Sequence, residues 1–160
     1  MILYHTSNME IRRPDIAFSR SSLDFGRGFY TTANKSQAEK YVRRFFKQNE
    51  PAVMNVYSFD DGDLEGFSRK FFGAYDAEWL DYVEKCRREQ PHEHYDIVEG
   101  GIANDNVFDT LDLYMAGIIT HEQAIGRLKK KKPNQQICFT NQTLIDLHLH
   151  FVESISIEQL

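Results

Sequence analysis

The sequence predicts an α+β domain, and three observations carry that expectation. Strand-like runs and helix-like periodicities are both present, but they do not alternate as β-α-β units. The 160 residues suit one domain, 1–160, with a core of its own. Hydrophobic residues at 41% and charged residues at 27% are globular values, and no repeat or low-complexity tract divides the chain.

The elements follow in order. Ile2–His5 reads as a short strand, and Thr6, Ser7 and Asn8 turn the chain. A loop from Pro14 to Ser22 carries Arg20. Gly26 and Gly28 then hinge a tight turn into an aromatic strand, Phe29–Thr32. Asn34 or Ser36 caps a helix to about Gln48, in which Ala38, Tyr41, Val42 and Phe45 mark a buried stripe. Ala52–Phe59 alternates as a strand, and Asp60-Asp61-Gly62 turns. Residues 63–73 and 76–89 look helical, with Trp79, Leu80, Val83 and Cys86 on one face of the second; Phe71, Phe72 and Trp79 are read as helical core. A strand within 95–102 ends at Gly100-Gly101. Asn104-Asp105-Asn106 starts a helix over 107–116, which Gly117 closes. Thr120 opens another, with capping-box spacing to Gln123; it runs to the lysines at 129–132, and Pro133 stops it. Residues 136–140 form a strand, 141–147 a helical turn and 148–157 a last strand.

Bulk properties exclude several classes. No apolar run approaches the roughly 20 residues of a membrane span, so no membrane partner is expected. The N-terminus lacks a basic segment followed by an apolar one, so it is not read as a signal peptide. Two distant cysteines, Cys86 and Cys138, make a disulfide framework an unfavoured reading and a reducing, cytoplasmic location the simpler one. The net charge of −5 argues against broad nucleic-acid binding, though the lysine run at 129–132 could attract a phosphate backbone. His92-x-His94 near Cys86, and His148-x-His150 near Cys138, do not match the spacings of zinc sites, so no metal is expected.

Three motifs share a chemistry. Leu-Tyr-His-Thr-Ser at 3–7, Phe-Gly-Arg-Gly-Phe-Tyr at 25–30 and Ser-Gln-Ala-Glu-Lys-Tyr at 36–41 stand in order, with Gln-Ile-Cys-Phe-Thr at 136–140 after them. In this order they resemble the motifs of diphtheria-toxin-type ADP-ribosyltransferases, the poly(ADP-ribose) polymerases among them. Nearly the whole chain is also similar to an uncharacterised bacterial family found in toxin–antitoxin-like gene pairs, whose members share Asp-Phe-Gly-x-Gly-Phe-Tyr and a Tyr-Asp-Ile-Val-x-Gly strand.

The resemblance implies a split β-sheet with NAD, as co-substrate, in its cleft. His5 would bond the adenine-side ribose, the backbone at Thr6 would clamp the nicotinamide carboxamide, and Tyr30 and Tyr41 would sandwich the ring. Ser7 and Gly28 belong to the same motifs, and Arg20 is assigned the pyrophosphate. Catalysis would fall to His5, Tyr30 and Gln136. The chemistry is coherent: a flat cationic ring suits aromatic faces, and bond cleavage passes through an oxocarbenium-like state.

Three departures qualify the pattern. Thr6 replaces a glycine, Ala38 replaces a serine, and Gln135 or Gln136 stands where a catalytic Glu is usual. Gln136 is favoured because it immediately precedes Ile-Cys-Phe. Glutamine cannot act as a general base, so single ADP-ribose transfer is expected over polymer extension. NAD hydrolysis and a non-catalytic interaction module are the alternatives. Asp96, Glu99 and Asp105 are candidate substitutes for the missing carboxylate. The partners implied are NAD, an antitoxin protein, and a protein or nucleic-acid acceptor.

Overall fold

The computed structural model describes residues 1–157, with the side chain of Asp105 excepted. Among the described residues, seven strands form two sheets. The first has order β1-β3-β7, from β1 (Ile2–Ser7), β3 (Ala52–Phe59) and β7 (Leu149–Ile157), all antiparallel. The second has order β2-β6-β5-β4, from β2 (Phe29–Thr31), β6 (Asn134–Phe139), β5 (Ile97–Ile102) and β4 (Arg69–Phe71). Only β4 and β5 run parallel. One isolated bridge joins the sheets: Tyr4 and Thr32 exchange N–H···O bonds of 2.8 and 2.9 Å.

The layers follow from side-chain alternation. On one face of β3, Ala52, Met54 and Val56 are buried beneath Ala38 and Val42 of α1 (Lys35–Lys47). On the other face, Tyr57 and Phe59 meet Leu3, Phe29, Ile137 and Phe139, the core between the sheets. The far face of the second sheet is covered by α2 (Ala77–Arg87), α3 (Asp105–Met115) and α4 (His121–Leu128), through Trp79, Leu80, Val83, Leu111 and Leu128. The last helix, α5 (Gln142–His148), buries Leu144 and Ile145 between the sheets. Each such fully buried side chain contributes about 1.5–3 kcal/mol.

Two expectations about helix signals hold in detail. The first cap is Asn34, whose side chain accepts from Gln37 N, and Thr120 with Gln123 forms a complete capping box. The predicted helix over 63–73 is corrected. Gly66 sits at φ +86°, which a right-handed helix does not allow. Leu64 and Phe67 pack on the core between the sheets, and 69–71 pairs in parallel with 97–99. Other boundaries move: β1 continues to Ser7, β5 runs through both glycines to Ile102, α4 ends at Leu128 before the lysines, and β6 begins at Asn134.

Candidate functional site

The seam between the sheets gathers the residues of interest. The pairing of β1 with β3 alternates between residues that bond across the pair and residues that bond outward. Tyr4 spends both its N–H and its C=O outward, on Thr32. Thr6, two residues on, has the same orientation but lies beyond the single bridge. Its N–H and C=O therefore point into the gap between β1 and β2, where no described backbone group takes them. Its hydroxyl is spent elsewhere, donating to Ala38 O of α1 at 2.8 Å.

His5 closes the same gap from one side. Its Nδ1 lies 2.6 Å from Tyr30 O. A carbonyl only accepts, so Nδ1 carries the proton and Nε2 presents a lone pair. The ring is half-buried and lies against Phe29, centroids 4.3 Å apart. Burial holds its pKa below the ordinary 6.5, with the carbonyl bond opposing, so the imidazole is neutral near pH 7.

Tyr30 is locked by the glycine loop that precedes it. Its hydroxyl accepts from Phe25 N at 2.9 Å and donates to Gly26 O at 2.7 Å. Its ring lies nearly parallel to Phe25, and burial pushes the phenol pKa far up. The loop is held in turn by Asp24, whose carboxylate meets Arg87 at 2.6 Å and accepts from Ala103 N at 2.8 Å. Gly26 supplies a φ of +79°. At Gly28 a Cβ would stand 2.5 Å from Cys138 Sγ and 2.8 Å from Phe139 O, so only glycine lets this loop seat on β6.

Gln136 shares a sheet face with Tyr30. Cys138 stands opposite Tyr30 in the register, and Gln136 is two residues along the same strand, opposite Gly100. That makes Tyr30 and Gln136 diagonal neighbours, within about 7–8 Å. Gln136 is half-buried and its side chain makes no hydrogen bond among the described residues.

The other expected residues are dispersed. The ring of Tyr41 is exposed on α1, against Arg44 and Phe45, and does not touch Tyr30. Arg20 is exposed on its loop, and Ser7 bonds only Asn8, at 3.5 Å. Of the candidate carboxylates, Asp96 is engaged by Ser68 and Asn141. Burial alone would raise its pKa; those bonds and His94 outweigh it and hold the group below its usual range. Glu99 stands opposite Ile137, on the face away from Gln136. The side chain of Asp105 lies outside the described residues.

Gln37 escaped the sequence reading, and Gln135 was set aside there in favour of its neighbour. Gln37 Oε1 accepts from Thr32 Oγ1 at 3.0 Å, but its Nε2 is buried without a partner; Gln135 Oε1 is likewise buried and unpartnered. A polar residue beside a buried Ala38 gives no pattern by which to single it out. Both thiols are inert: burial pushes Cys86 up to about 12 and Cys138 further. Cys86 and His92 are 3.7 Å apart, but no group of three metal-binding side chains forms among the described residues. A cleft of about 330 Å³ beside the glycine loop is lined by Phe25, Arg27, Tyr82, His92 and Tyr95, and includes neither His5, Tyr30 nor Gln136.

No helix among the described residues is long and apolar enough to cross a membrane. No curated protein and no solved structure matches the chain. A family model does, over residues 1–151, and the chain therefore belongs to the family described as Protein of unknown function (DUF3990).

Proposed function

We propose that this protein is an NAD-dependent mono-ADP-ribosyltransferase that modifies a macromolecule, the toxin of a toxin–antitoxin pair, with its two sheets forming the split sheet of that fold. The observation that carries this reading is the free N–H and C=O of Thr6 at the seam. One backbone donor and one acceptor on the same residue match a primary carboxamide, which presents one of each in a plane. His5 Nε2, beside them, is a neutral acceptor suited to a ribose hydroxyl. Gln37, with its spare buried donor, and Tyr41, one helical turn further, share a stripe of α1 that borders Thr32. A cationic nicotinamide ring is stabilised by aromatic faces in such a position.

The reaction asks little of a base. The nicotinamide–ribose bond breaks, its electron pair leaves with nicotinamide, and the acceptor's nucleophile forms the new bond at the ribose carbon. Positioning and electrostatic stabilisation of the oxocarbenium-like state carry most of the acceleration. Gln136 can hold a ribose hydroxyl by hydrogen bonding but cannot take its proton. Chain extension, which needs an activated ribose hydroxyl, is therefore outside this site's reach.

Incubation with NAD labelled in the adenylate half tests the proposal. Nicotinamide release together with label on a macromolecule is the expected result, with both reduced at least tenfold in Gln136→Ala. Release without transferred label would make the protein an NAD glycohydrolase. A second reading, a non-catalytic interaction module, is favoured by one observation: neither Asp96 nor Glu99 is free beside Gln136. NAD binding with no nicotinamide release would select it.

A further inference from the structure

The end of α4 is strongly basic in an acidic chain. The net charge is −5, yet Arg127 and Lys129 to Lys132 place five cations within six residues. All five are exposed, and none pairs with a carboxylate among the described residues. A helix C-terminus favours cations only within its last turn. Here α4 ends at Leu128, and the lysines continue past it.

Beside them, a cleft of about 480 Å³ opens between α3 and α4. Its lining includes Asn106, Thr110, Gln123, Arg127, Lys130 and Lys131. The capping box spends Gln123 Oε1 on Thr120 N, at 2.9 Å, which leaves the amide N–H groups as the available face of that side chain. The lining thus offers guanidinium, ammonium and amide donors, with no carboxylate among the described residues; the Thr110 hydroxyl is spent on Asn106 O, at 3.4 Å. This is the donor set that proteins direct at phosphate oxygens. A membrane surface would call for large apolar side chains beside the cations, and the lining has none.

We propose that this cleft binds the phosphodiester backbone of a nucleic acid. The proposal deepens the ADP-ribosyl-transfer reading, on which it rests only for the role of the bound strand as acceptor. Lys132 precedes Gln136 by four residues, so the two lie at most about 14 Å apart along the chain. A strand held on the lysines would run close to the seam between the sheets.

Fluorescence anisotropy with labelled single-stranded RNA and with DNA of the same sequence, in the absence of NAD, tests this. Four or five phosphate contacts predict that log K falls with log salt at a slope of about −3 for a single strand. The quadruple variant Lys129→Gln, Lys130→Gln, Lys131→Gln, Lys132→Gln is expected to bind at least tenfold more weakly with a slope reduced by more than half. A control of equal charge change on α1 (Lys35→Gln, Lys40→Gln, Arg43→Gln, Lys47→Gln) should keep the slope. The RNA and DNA arms identify which backbone is preferred. Equal binding by the lysine variant, equal weakening by the α1 control, or equally tight binding of polyglutamate or phosphatidylserine vesicles would overturn the proposal. Calorimetric NAD titration of the same proteins separates the two readings: RNA or DNA binding in a wild type that ignores NAD removes the transferase and leaves the cleft, and NAD binding without nucleic-acid binding does the reverse.

Discussion

Tyr30 shows how one side chain joins sequence, packing and site. Its hydroxyl satisfies the buried Phe25 N–H and bonds Gly26 O, so it fixes the loop that seats β2 on β6. Tyr30→Phe keeps the ring but leaves that N–H without a partner, a loss of about 1–3 kcal/mol. Thermal unfolding of the variant should show a lowered Tm; an unchanged Tm would mean that the latch contributes nothing. His5 predicts a pH dependence. Its folded pKa is lowered by burial, so as pH falls the unfolded chain takes up its proton first. The penalty is absent above the ordinary value of 6.5, and stability falls as pH drops below it toward the folded pKa. Glu10 and Asp96, whose pKa values are lowered from 4.5 and 3.8, lose their contributions only below those values, so the windows separate. His5→Gln should flatten the stability profile just below pH 6.5; denaturant titrations on either side of that value read it.

At the scale of elements, the glycine loop, the end of α2 and the start of α3 meet in the Asp24–Arg87 pair. Both side chains are largely buried, at 10% and 18% exposure, and Asp24 also holds Ala103 N. Breaking a buried pair costs about 3–5 kcal/mol, because the remaining charge loses its partner. Arg87→Met is therefore expected to destabilise by that order, and adding Asp24→Asn should recover part of the loss; additive losses would show that the two do not act as a pair. Most elements were legible in local signals. Asn34, Thr120 and Gly117 announced helix ends, and alternation in 52–59 announced a strand, which the structure buries on both faces. The segment 63–73 was not, because its i, i+3 pattern imitates a helix while its partner strand begins at Ile97. Gly66 was the one local sign against a helix, and the Ser68–Asp96 bonds that anchor the segment are invisible to any window of sequence.

For the whole molecule, the decisive feature is that the two sheets share a single bridge among the described residues. The α+β class was readable from the order of the runs, but the seam was not. It depends on Tyr4 meeting Thr32, and on β1 outlasting that contact by three residues, to Ser7. The arrangement of the motif residues was therefore not readable. His5 reaches the backbone of Tyr30, and Gln136 shares a sheet face with it as a diagonal neighbour. Tyr41 stays apart on α1, and Gln37 enters unannounced.

The free backbone pair of Thr6 is the centre of this account, and two substitutions isolate it. Thr6→Val removes only the hydroxyl bonded to Ala38 O, whereas Thr6→Pro also removes the N–H that faces the gap. Proline at that position sacrifices no ladder bond to β3, so the strand tolerates it. Calorimetric titration of NAD into the wild type and both variants, each first shown to be folded, is the direct test. Saturable binding in the wild type and Thr6→Val, with loss in Thr6→Pro, is the predicted result; no binding to the wild type at millimolar NAD, or undiminished binding to Thr6→Pro, would contradict it.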